Sequence, residues 1–273
     1  MKYILCLQCA DRTGIVAAVA GALANHHCNI EEAAQFNDPS GQFFMRVLFL
    51  SPDARSLMDT FPSIAASFLM VWNIYPEEQK VKTLILASKA DHCLNDIFYR
   101  WRSGLLPIDI RGVLSNHQTN RKLVEENGIA YVFADGAKEE QERKIEALID
   151  ETEAELIVLA RYMQILSKDL SQKYAGRIIN IHHSFLPGFK GAKPYHQAWD
   201  RGVKIIGATA HFVTQELDEG PIIEQDVVRI THAATPEKMQ IIGKDIESRV
   251  LSHAIQSYAE RRVFLHGQRT IIL

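Results

Sequence analysis

The sequence predicts an α/β protein in which a small βαββαβ domain is followed by a larger domain built on a mostly parallel sheet. Up to residue 80, the sequence shows apolar runs, turn-forming clusters and helical stripes in the order expected for a βαββαβ domain. Beyond that point, short apolar runs without strict alternation are separated by helical stretches, which is typical of strands buried on both faces. A polar break at residues 76–80 separates the two patterns, so we place the domains at residues 1–80 and 81–273.

The first domain is predicted to contain four strands and two helices. A first apolar strand covers residues 3–8, and the turn at residues 11–14 carries residues that favour a helix start. Ile15, Val19 and Leu23 then recur every four residues, which places them on one face of a helix. The remaining elements are strands at residues 30–36, 42–50 and 70–75 and a helix at residues 52–68. This order indicates a small antiparallel, ferredoxin-like sheet with both helices on one face.

The second domain alternates short strands with helices. Its apolar runs fall at residues 83–87, 108–114, 130–133, 156–160 and 178–181, and its helical stretches at residues 92–101 and 137–152. In a parallel sheet covered by helices, ligands bind at the carboxyl ends of the strands, so we expect a site there. A last helix begins after Thr235, and a hairpin at residues 263–273 ends the sequence. The apolar face expected for that helix consists of Ile241, Ile242, Ile246, Val250 and His253.

Composition and charge exclude several classes of function. The formal net charge of −3 gives no electrostatic basis for binding nucleic acid. No segment approaches the ~20 apolar residues that cross a bilayer, and the N-terminus lacks the apolar core of a secretory signal. We therefore expect a cytoplasmic protein without membrane partners. Four scattered cysteines do not predict a disulfide framework, and we interpret the Cys6–Cys9 spacing as incidental because no second ligand pair accompanies it.

Residues 177–225 carry the clearest chemical signal. Asn180 and His182 are two positions apart, so both side chains leave an extended segment on the same face. Downstream, an alternating segment leads into a turn that contains Asp218. An amide and an imidazole can donate to an oxyanion while a carboxylate accepts a proton from water. This combination predicts hydrolysis or transfer of an acyl group.

Other interpretations of the same stretch are weaker. A metal site could draw on Asp218 and four histidines, but no two of them have the spacing of a helical metal-binding pair, and Asn180 would be an unusual ligand. The four are His182, His183, His196 and His211. A catalytic triad through Ser184 lacks the G-x-S-x-G turn. For His196 and His211 a purely structural role at strand ends remains equally open.

At this point the sequence resembles the folate-dependent formyltransferases, which have a Rossmann-like fold. The resemblance covers roughly residues 81–231 and is carried by three motifs in order: N-I-H-x-S-x-L-P, G-x-x-x-x-x-x-A and G-x-T-x-H-x-V-x-x-x-x-D-x-G-P-I. It implies that Asn180, His182 and Asp218 are catalytic. It also implies a folate site formed by Met163, Gln164, Ile165, Leu166 and Thr214. Tetrahydrofolate is then substrate or product, with no bound cofactor and no metal.

The first domain resembles an ACT domain, a small regulatory module. The resemblance implies an amino-acid site at a domain interface, formed by Asp11, Thr13, Gly14, Asn29 and Ile30. It also implies a homo-oligomer, since ACT domains pair with one another. In the branch of the family that combines the two domains, the expected effectors are methionine and glycine.

The acceptor of the formyl group is inferred from a missing loop. Formyltransferases that act on a ribonucleotide carry a glycine-rich phosphate loop after their first strand, whereas this chain has S-K-A-D-H at residues 88–92, where Asp91 would repel a phosphate. With water as acceptor, the two-domain layout resembles the formyltetrahydrofolate deformylase family, which hydrolyses 10-formyltetrahydrofolate to formate and tetrahydrofolate. His183, where transferases usually have proline, agrees with this branch. The alternatives are transfer to an unidentified acceptor, or a non-catalytic folate or amino-acid sensor.

Overall fold

In a computed structural model, which describes residues 1–188 and 194–273, the chain forms two compact units. The first comprises Met1–Gln79, Glu260–Phe264 and Ile271–Leu273. The second comprises Lys80–Ala259 and Leu265–Thr270. Gly191, which opens the second of the three sequence motifs, lies outside the described residues.

The first unit confirms the predicted βαββαβ order. Its four strands form an antiparallel sheet in the order β2-β3-β1-β4. In chain order, the elements are β1 (Lys2–Ala10), α1 (Ile15–Asn25), β2 (Asn29–Asp38), β3 (Gln42–Leu50), α2 (Ala54–Phe68) and β4 (Val71–Pro76).

The two helices of this unit begin in different ways. Helix α1 follows Gly14, whose φ of 97° lies in the left-handed region that glycine adopts without strain. The helix begins directly after residues 11–14 as predicted, but no side chain caps it within the described turn. Helix α2 follows Asp53, whose carboxylate accepts from the backbone N–H groups of Arg55 and Ser56. The turn before α1 therefore depends on glycine for its backbone conformation, whereas the start of α2 has a capping side chain.

The second unit confirms the predicted mostly parallel sheet. Its seven strands have the order β11-β10-β9-β8-β5-β6-β7, in which β10 and β11 are antiparallel to their neighbours. The strands are β5 (Val81–Ala87), β6 (Ile108–Ser115), β7 (Tyr131–Phe133), β8 (Leu156–Ala160), β9 (Ile178–His182), β10 (Ile205–Phe212) and β11 (Ile222–Arg229). The helices are α3 (His92–Arg102), α4 (Arg121–Glu126), α5 (Lys138–Thr152), α6 (Lys168–Lys173), α7 (Pro194–Asp200) and α8 (Pro236–Ala259). A hairpin of β12 (Val263–His266) and β13 (Arg269–Ile272) follows.

The order of strands reverses between β5 and β8. Strand β5 pairs in parallel with β6 on one side and with β8 on the other. The chain first builds β6 and β7 outward, then returns to add β8 and β9 on the opposite side. A reversal of this kind leaves a crevice beyond the carboxyl ends of the two central strands. Ser88, directly after β5, accepts the backbone N–H of Met163 at 3.0 Å, which ties the two sides of this crevice together.

Helix α8 presents a different face to the core from the one predicted. Thr235 precedes it as expected and accepts the backbone N–H of Lys238 at 3.3 Å. However, Ile241 is 66% exposed and His253 is also exposed, so neither belongs to the buried face. The buried residues are Met239, Gly243, Ile246, Glu247, Val250, Leu251, Ser252, Ala254, Ile255 and Ala259. The spacing of apolar residues did not identify this face, because a glycine and a glutamate are part of it.

Two expectations from composition concern membranes and thiols. Among the described residues, no helix is both long enough and apolar enough to span a bilayer. Cys6 and Cys9 lie three positions apart on β1, so their side chains leave opposite faces of the strand. Both are free thiols, and Cys9 is part of the core of the first unit.

Candidate active site

A cavity of about 390 Å³ lies in the second unit next to the carboxyl ends of β8 and β9. Three segments line it: residues 161–166 after β8, the carboxyl end of β9 and residues 213–218 after β10. Its volume is in the range that binds a small organic molecule. The position agrees with the carboxyl-end site expected for a parallel sheet.

Asn180 and His182 enter this cavity from β9. Strand period brings both to the same face, and both line the cavity. The antiparallel pairing of β9 with β10 places His211 directly opposite Asn180. Nδ2 of Asn180 lies 3.2 Å from Nε2 of His211. The imidazole that the sequence left undecided is therefore part of the site.

His211 has a defined tautomer and charge. Its Nδ1 lies 2.9 Å from the carbonyl oxygen of Phe212, so Nδ1 carries the hydrogen and donates. Burial lowers the pKa of His211 below its ordinary value, and only 2% of the residue is exposed. The ring is neutral, so Nε2 accepts from the amide of Asn180. This assigns the amide orientation and leaves the second N–H of Asn180 to donate elsewhere.

Asp218 comes to the same place from the turn after β10. Its Oδ1 lies 3.3 Å from Nδ1 of His182 and 3.8 Å from Nε2 of His211. Burial alone would raise the pKa of the Asp218 carboxyl, but the hydrogen bond from His182 and the nearby imidazoles hold it below its ordinary value. Asp218 is therefore ionised at neutral pH.

The turn that carries Asp218 is unusually constrained. Asp218 has a φ of 58°, in the left-handed region that residues other than glycine seldom adopt. Two residues later, a Cβ on Gly220 would overlap the carbonyl oxygen of Phe212. The N–H of Phe212 in turn donates to the carbonyl of Pro221 at 2.9 Å. Close backbone packing thus holds the backbone of Asp218 in a strained conformation. Such conformations are common at functional sites.

His182 is positioned to act on a ligand. Its Nδ1 faces Asp218, while Nε2 is buried and makes no hydrogen bond to any described residue. A buried polar atom without a partner is unfavourable, and such atoms are rare in folded proteins. The adjacent His183 also lines the cavity, and burial together with the charge of Arg161 lowers its pKa to about 4. His183 is therefore neutral at physiological pH.

All five residues expected to bind folate lie on the cavity wall. They are Met163, Gln164, Ile165, Leu166 and Thr214. Met163 and Ile165 are 59% and 61% exposed, although both are apolar, while Leu166 is buried. Exposed apolar side chains that share one cavity with Asn180, His182 and Asp218 fit a ligand that combines a flat ring with a reactive carbonyl.

The residues expected to bind a regulatory amino acid are not brought together within one chain. The strand pairing places Asn29 level with the first residue of β1. Ile30 lies next to it, whereas Asp11, Thr13 and Gly14 follow the last residue of β1. At ~3.3 Å per residue, the two groups are separated by ~26 Å along the sheet. One small ligand cannot contact both groups in a single copy of the chain.

Other candidate residues have different positions. His196 is exposed on α7 and is not among the residues that line the cavity within the described chain. Ser184 donates through its hydroxyl to the carbonyl of Gly188 at 2.8 Å, so it is used structurally. The sequence assigned no function of its own to Arg161, which lines the cavity at the start of residues 161–166. Nor did it identify Glu247, although a carboxylate on the apolar face of a helix was a signal, since such a group is rarely buried without a partner.

Both units match families of known proteins. The model of a family described as formyl transferase matches residues 81–255, and that of the ACT domain matches residues 2–59. A formyltetrahydrofolate deformylase of Corynebacterium sp. (strain P-1) is 49% identical over 281 residues, which cover 100% of this chain and 98% of the relative. The formyltetrahydrofolate deformylase of Bacillus subtilis (strain 168) is 43% identical over 99% of this chain and 93% of its own length.

Solved structures give the same result for the fold. The crystal structure of a formyltetrahydrofolate deformylase from Burkholderia mallei superposes with a TM-score of 0.95 at 46% identity, covering 100% of this chain and 99% of the other. The structure of glycinamide ribonucleotide transformylase 1 from Symbiobacterium toebii has a TM-score of 0.68 at 29% identity and covers 71% of this chain and 94% of its own. The similarity to the transformylase is thus partial, whereas that to the two-domain proteins extends over the whole chain.

Proposed function

The chain belongs to the formyltetrahydrofolate deformylases of the formyl transferase family, and we propose that it hydrolyses 10-formyltetrahydrofolate to formate and tetrahydrofolate with Asn180, His182 and Asp218 as catalytic residues. The observation that carries this assignment is that these three side chains line a single cavity, where Asp218 lies beside His182 and where Asn180 and Asp218 both lie beside His211. The folate is a substrate rather than a bound cofactor. The reaction requires an acid–base group and oxyanion donors, and the three residues supply both.

Asn180 and His182 stabilise the oxygen of the formyl group. The amide N–H of Asn180 that is not directed at His211 donates to this oxygen, and so does Nε2 of His182 when its ring is protonated. Both donors strengthen as the carbonyl becomes an oxyanion in the tetrahedral intermediate. One well-placed donor contributes about 3 kcal/mol to lowering such a barrier.

Asp218 activates the water. Its ionised carboxylate accepts a proton from water as the water oxygen bonds to the formyl carbon. The tetrahedral intermediate then collapses, the bond between the formyl carbon and N10 breaks, and the proton passes from Asp218 to N10. The products are tetrahydrofolate and formic acid, which loses its proton to the solvent to give formate, so atoms and charge balance without any further reactant.

The segment after β5 supports water as the acceptor. Ser88 donates through its hydroxyl to Oδ1 of Asn116 at 2.7 Å and accepts the N–H of Met163. Asn120 donates to the carbonyl of Ser88 at 2.9 Å. The hydroxyl of Ser88 is thus occupied in holding residues 161–166, and residues 88–92 contain none of the glycines that let a phosphate loop approach its ligand. This favours hydrolysis over transfer to a ribonucleotide.

The test is formate release from 10-formyltetrahydrofolate by the purified protein with no acceptor added. We expect sustained release over many turnovers, and no diversion of the formyl group when glycinamide ribonucleotide is included. A formylated ribonucleotide would favour a transferase. Folate binding without formate release would favour a sensor.

For the first unit we propose a regulatory site for an amino acid, methionine or glycine, shared between two copies of the chain. Its support is the distance between the two groups of candidate residues: Asp11, Thr13 and Gly14 at one end of the sheet, Asn29 and Ile30 at the other. A ligand that contacts both groups requires a second copy. Calorimetric titration with each amino acid tests binding, and light scattering tests the homo-oligomer. A monomer that binds neither would contradict the proposal.

A further inference from the structure

Outside the three catalytic residues, the second unit contains a buried carboxylate with three partners. Glu247 on α8 is 2% exposed. Its Oε2 lies 2.9 Å from Nε2 of His92 on α3 and 3.4 Å from Nε of Arg161 after β8. Its Oε1 accepts from the hydroxyl of Tyr195 on α7 at 2.8 Å. Glu247 therefore joins three elements that are far apart in the sequence.

Helix α8 is adapted to this contact. Gly243 lies one turn before Glu247 on the same face, and a Cβ at Gly243 would overlap the hydroxyl of Tyr195. Glycine inside a helix costs ~1 kcal/mol relative to alanine. The helix therefore carries a residue that weakens it, and the space gained allows Tyr195 to reach Glu247.

The cluster is an ion pair rather than a metal site. Burial alone would raise the pKa of Glu247, but the hydrogen bond from His92 and the charge of Arg161 hold it below its ordinary value. His92, Cys93 and Glu247 bring ligand atoms within 4.8 Å of one another, which is a spacing that a cation could use. However, burial raises the pKa of the Cys93 thiol far above its ordinary value, which disfavours the thiolate that binds metals. Arg161 already supplies the compensating positive charge.

Two of the groups held by Glu247 lead directly to the catalytic cavity. Arg161 is the first residue of the wall segment 161–166 and has a φ of 60°, a conformation that needs support from its surroundings. The ring of Tyr195 lies 6.1 Å from that of His183, which lines the cavity beside His182. Glu247 itself is not among the described residues that line the cavity. It contacts one lining residue, Arg161, directly and reaches a second, His183, through Tyr195.

We propose that Glu247 is a positioning residue for the reaction, which fixes the start of the folate-binding segment through Arg161 and the placement of His183 through Tyr195. The identity of the ligand in this proposal rests on the proposed function. The two effects are separable, because Arg161 begins the segment expected to bind folate, whereas Tyr195 contacts His183, the neighbour of His182.

The test compares Glu247→Gln with Asp245→Asn, which makes the same carboxylate-to-amide change at an exposed position of α8. Glutamine keeps the shape and an acceptor for Tyr195 but removes the charge paired with Arg161. We expect Glu247→Gln to weaken tetrahydrofolate binding, measured by calorimetry, about tenfold and to raise KM by a similar factor, because small displacements of a binding segment have large effects. Asp245→Asn should change neither. A lower Tm with unchanged Kd and KM would reduce Glu247 to a structural residue and overturn the proposal.

A second variant keeps the proposal testable if Glu247→Gln does not fold. Tyr195→Phe removes only the hydroxyl that donates to Glu247. We expect kcat to fall severalfold with the Kd of tetrahydrofolate unchanged, because Tyr195 contacts His183 rather than the folate segment. An unchanged kcat would overturn the role assigned to Tyr195. If the unmodified protein released no formate, the proposed function would fail, while the comparison of tetrahydrofolate affinities would still decide the role of Glu247.

Discussion

Asn180 on β9 and His211 on β10 are directly opposite each other across two antiparallel strands, with Nδ2 of the amide 3.2 Å from Nε2 of the ring. Because Nδ1 of His211 donates to the carbonyl of Phe212, Nε2 can only accept. His211 therefore determines which way the amide of Asn180 faces. An oxyanion donor that is already oriented needs no reorganisation during the reaction.

Replacing His211 by phenylalanine should lower kcat about a hundredfold, the amount expected for loss of one oriented oxyanion donor. An aromatic ring is retained, but the amide of Asn180 is no longer held. KM for 10-formyltetrahydrofolate should change little, because His211 does not lie on the folate wall. Steady-state kinetics measure both parameters. In an Asn180→Ala background the same replacement should have almost no further effect, and full additivity of the two changes would contradict the coupling.

Replacing Asp218 by asparagine should reduce turnover by a factor of about 10²–10⁴, since the proton acceptor for water is lost. Binding of tetrahydrofolate should remain measurable, because the wall formed by residues 161–166 is unchanged. The matched control is Glu219→Gln, at an exposed acid in the same turn, which should retain activity. Unchanged turnover in Asp218→Asn would remove this carboxylate from the mechanism.

Replacing Gly220 by alanine should displace the turn that carries Asp218, because a Cβ there overlaps the carbonyl oxygen of Phe212. Overpacking of this kind typically lowers the free energy of unfolding by about 1–3 kcal/mol. Thermal unfolding measures the loss, and kcat should fall with it. Gly21→Ala is the control, since a Cβ at Gly21 meets no atom within 4 Å. A fully active Gly220→Ala variant of normal stability would show that the turn is not constrained as described.

His183 should make folding sensitive to acid. Its pKa is lowered from 6.5 to about 4 by burial and by the charge of Arg161, so between these values the unfolded chain binds a proton that the folded chain does not. The free energy of unfolding should therefore fall as the pH is lowered from 7 to 4, with His183 contributing on the order of 3 kcal/mol. Denaturant titrations of His183→Gln should show a smaller loss over this range. The exposed His253→Gln serves as control, and equal acid sensitivity of His183→Gln and the unmodified protein would contradict the assignment.

The sequence predicted the features that depend only on the spacing of residues within one strand or helix. The uninterrupted apolar runs gave the buried parallel strands, and the two-residue spacing of Asn180 and His182 placed both on one face. The role of His211 depends on the register between β9 and β10, which the spacing of residues within either strand does not specify. Glu247 was missed because its burial depends on partners from three distant elements. The distance between Asp11 and Asn29 likewise follows from strand pairing.

The central claim is that Asn180, His182 and Asp218 direct water to the formyl carbon. The most direct test is to let the protein turn over 10-formyltetrahydrofolate in water enriched in ¹⁸O and to analyse the formate by mass spectrometry. We expect many turnovers without an added acceptor, with one ¹⁸O atom in each formate released. No release, or formate without the label, would contradict hydrolysis at this site.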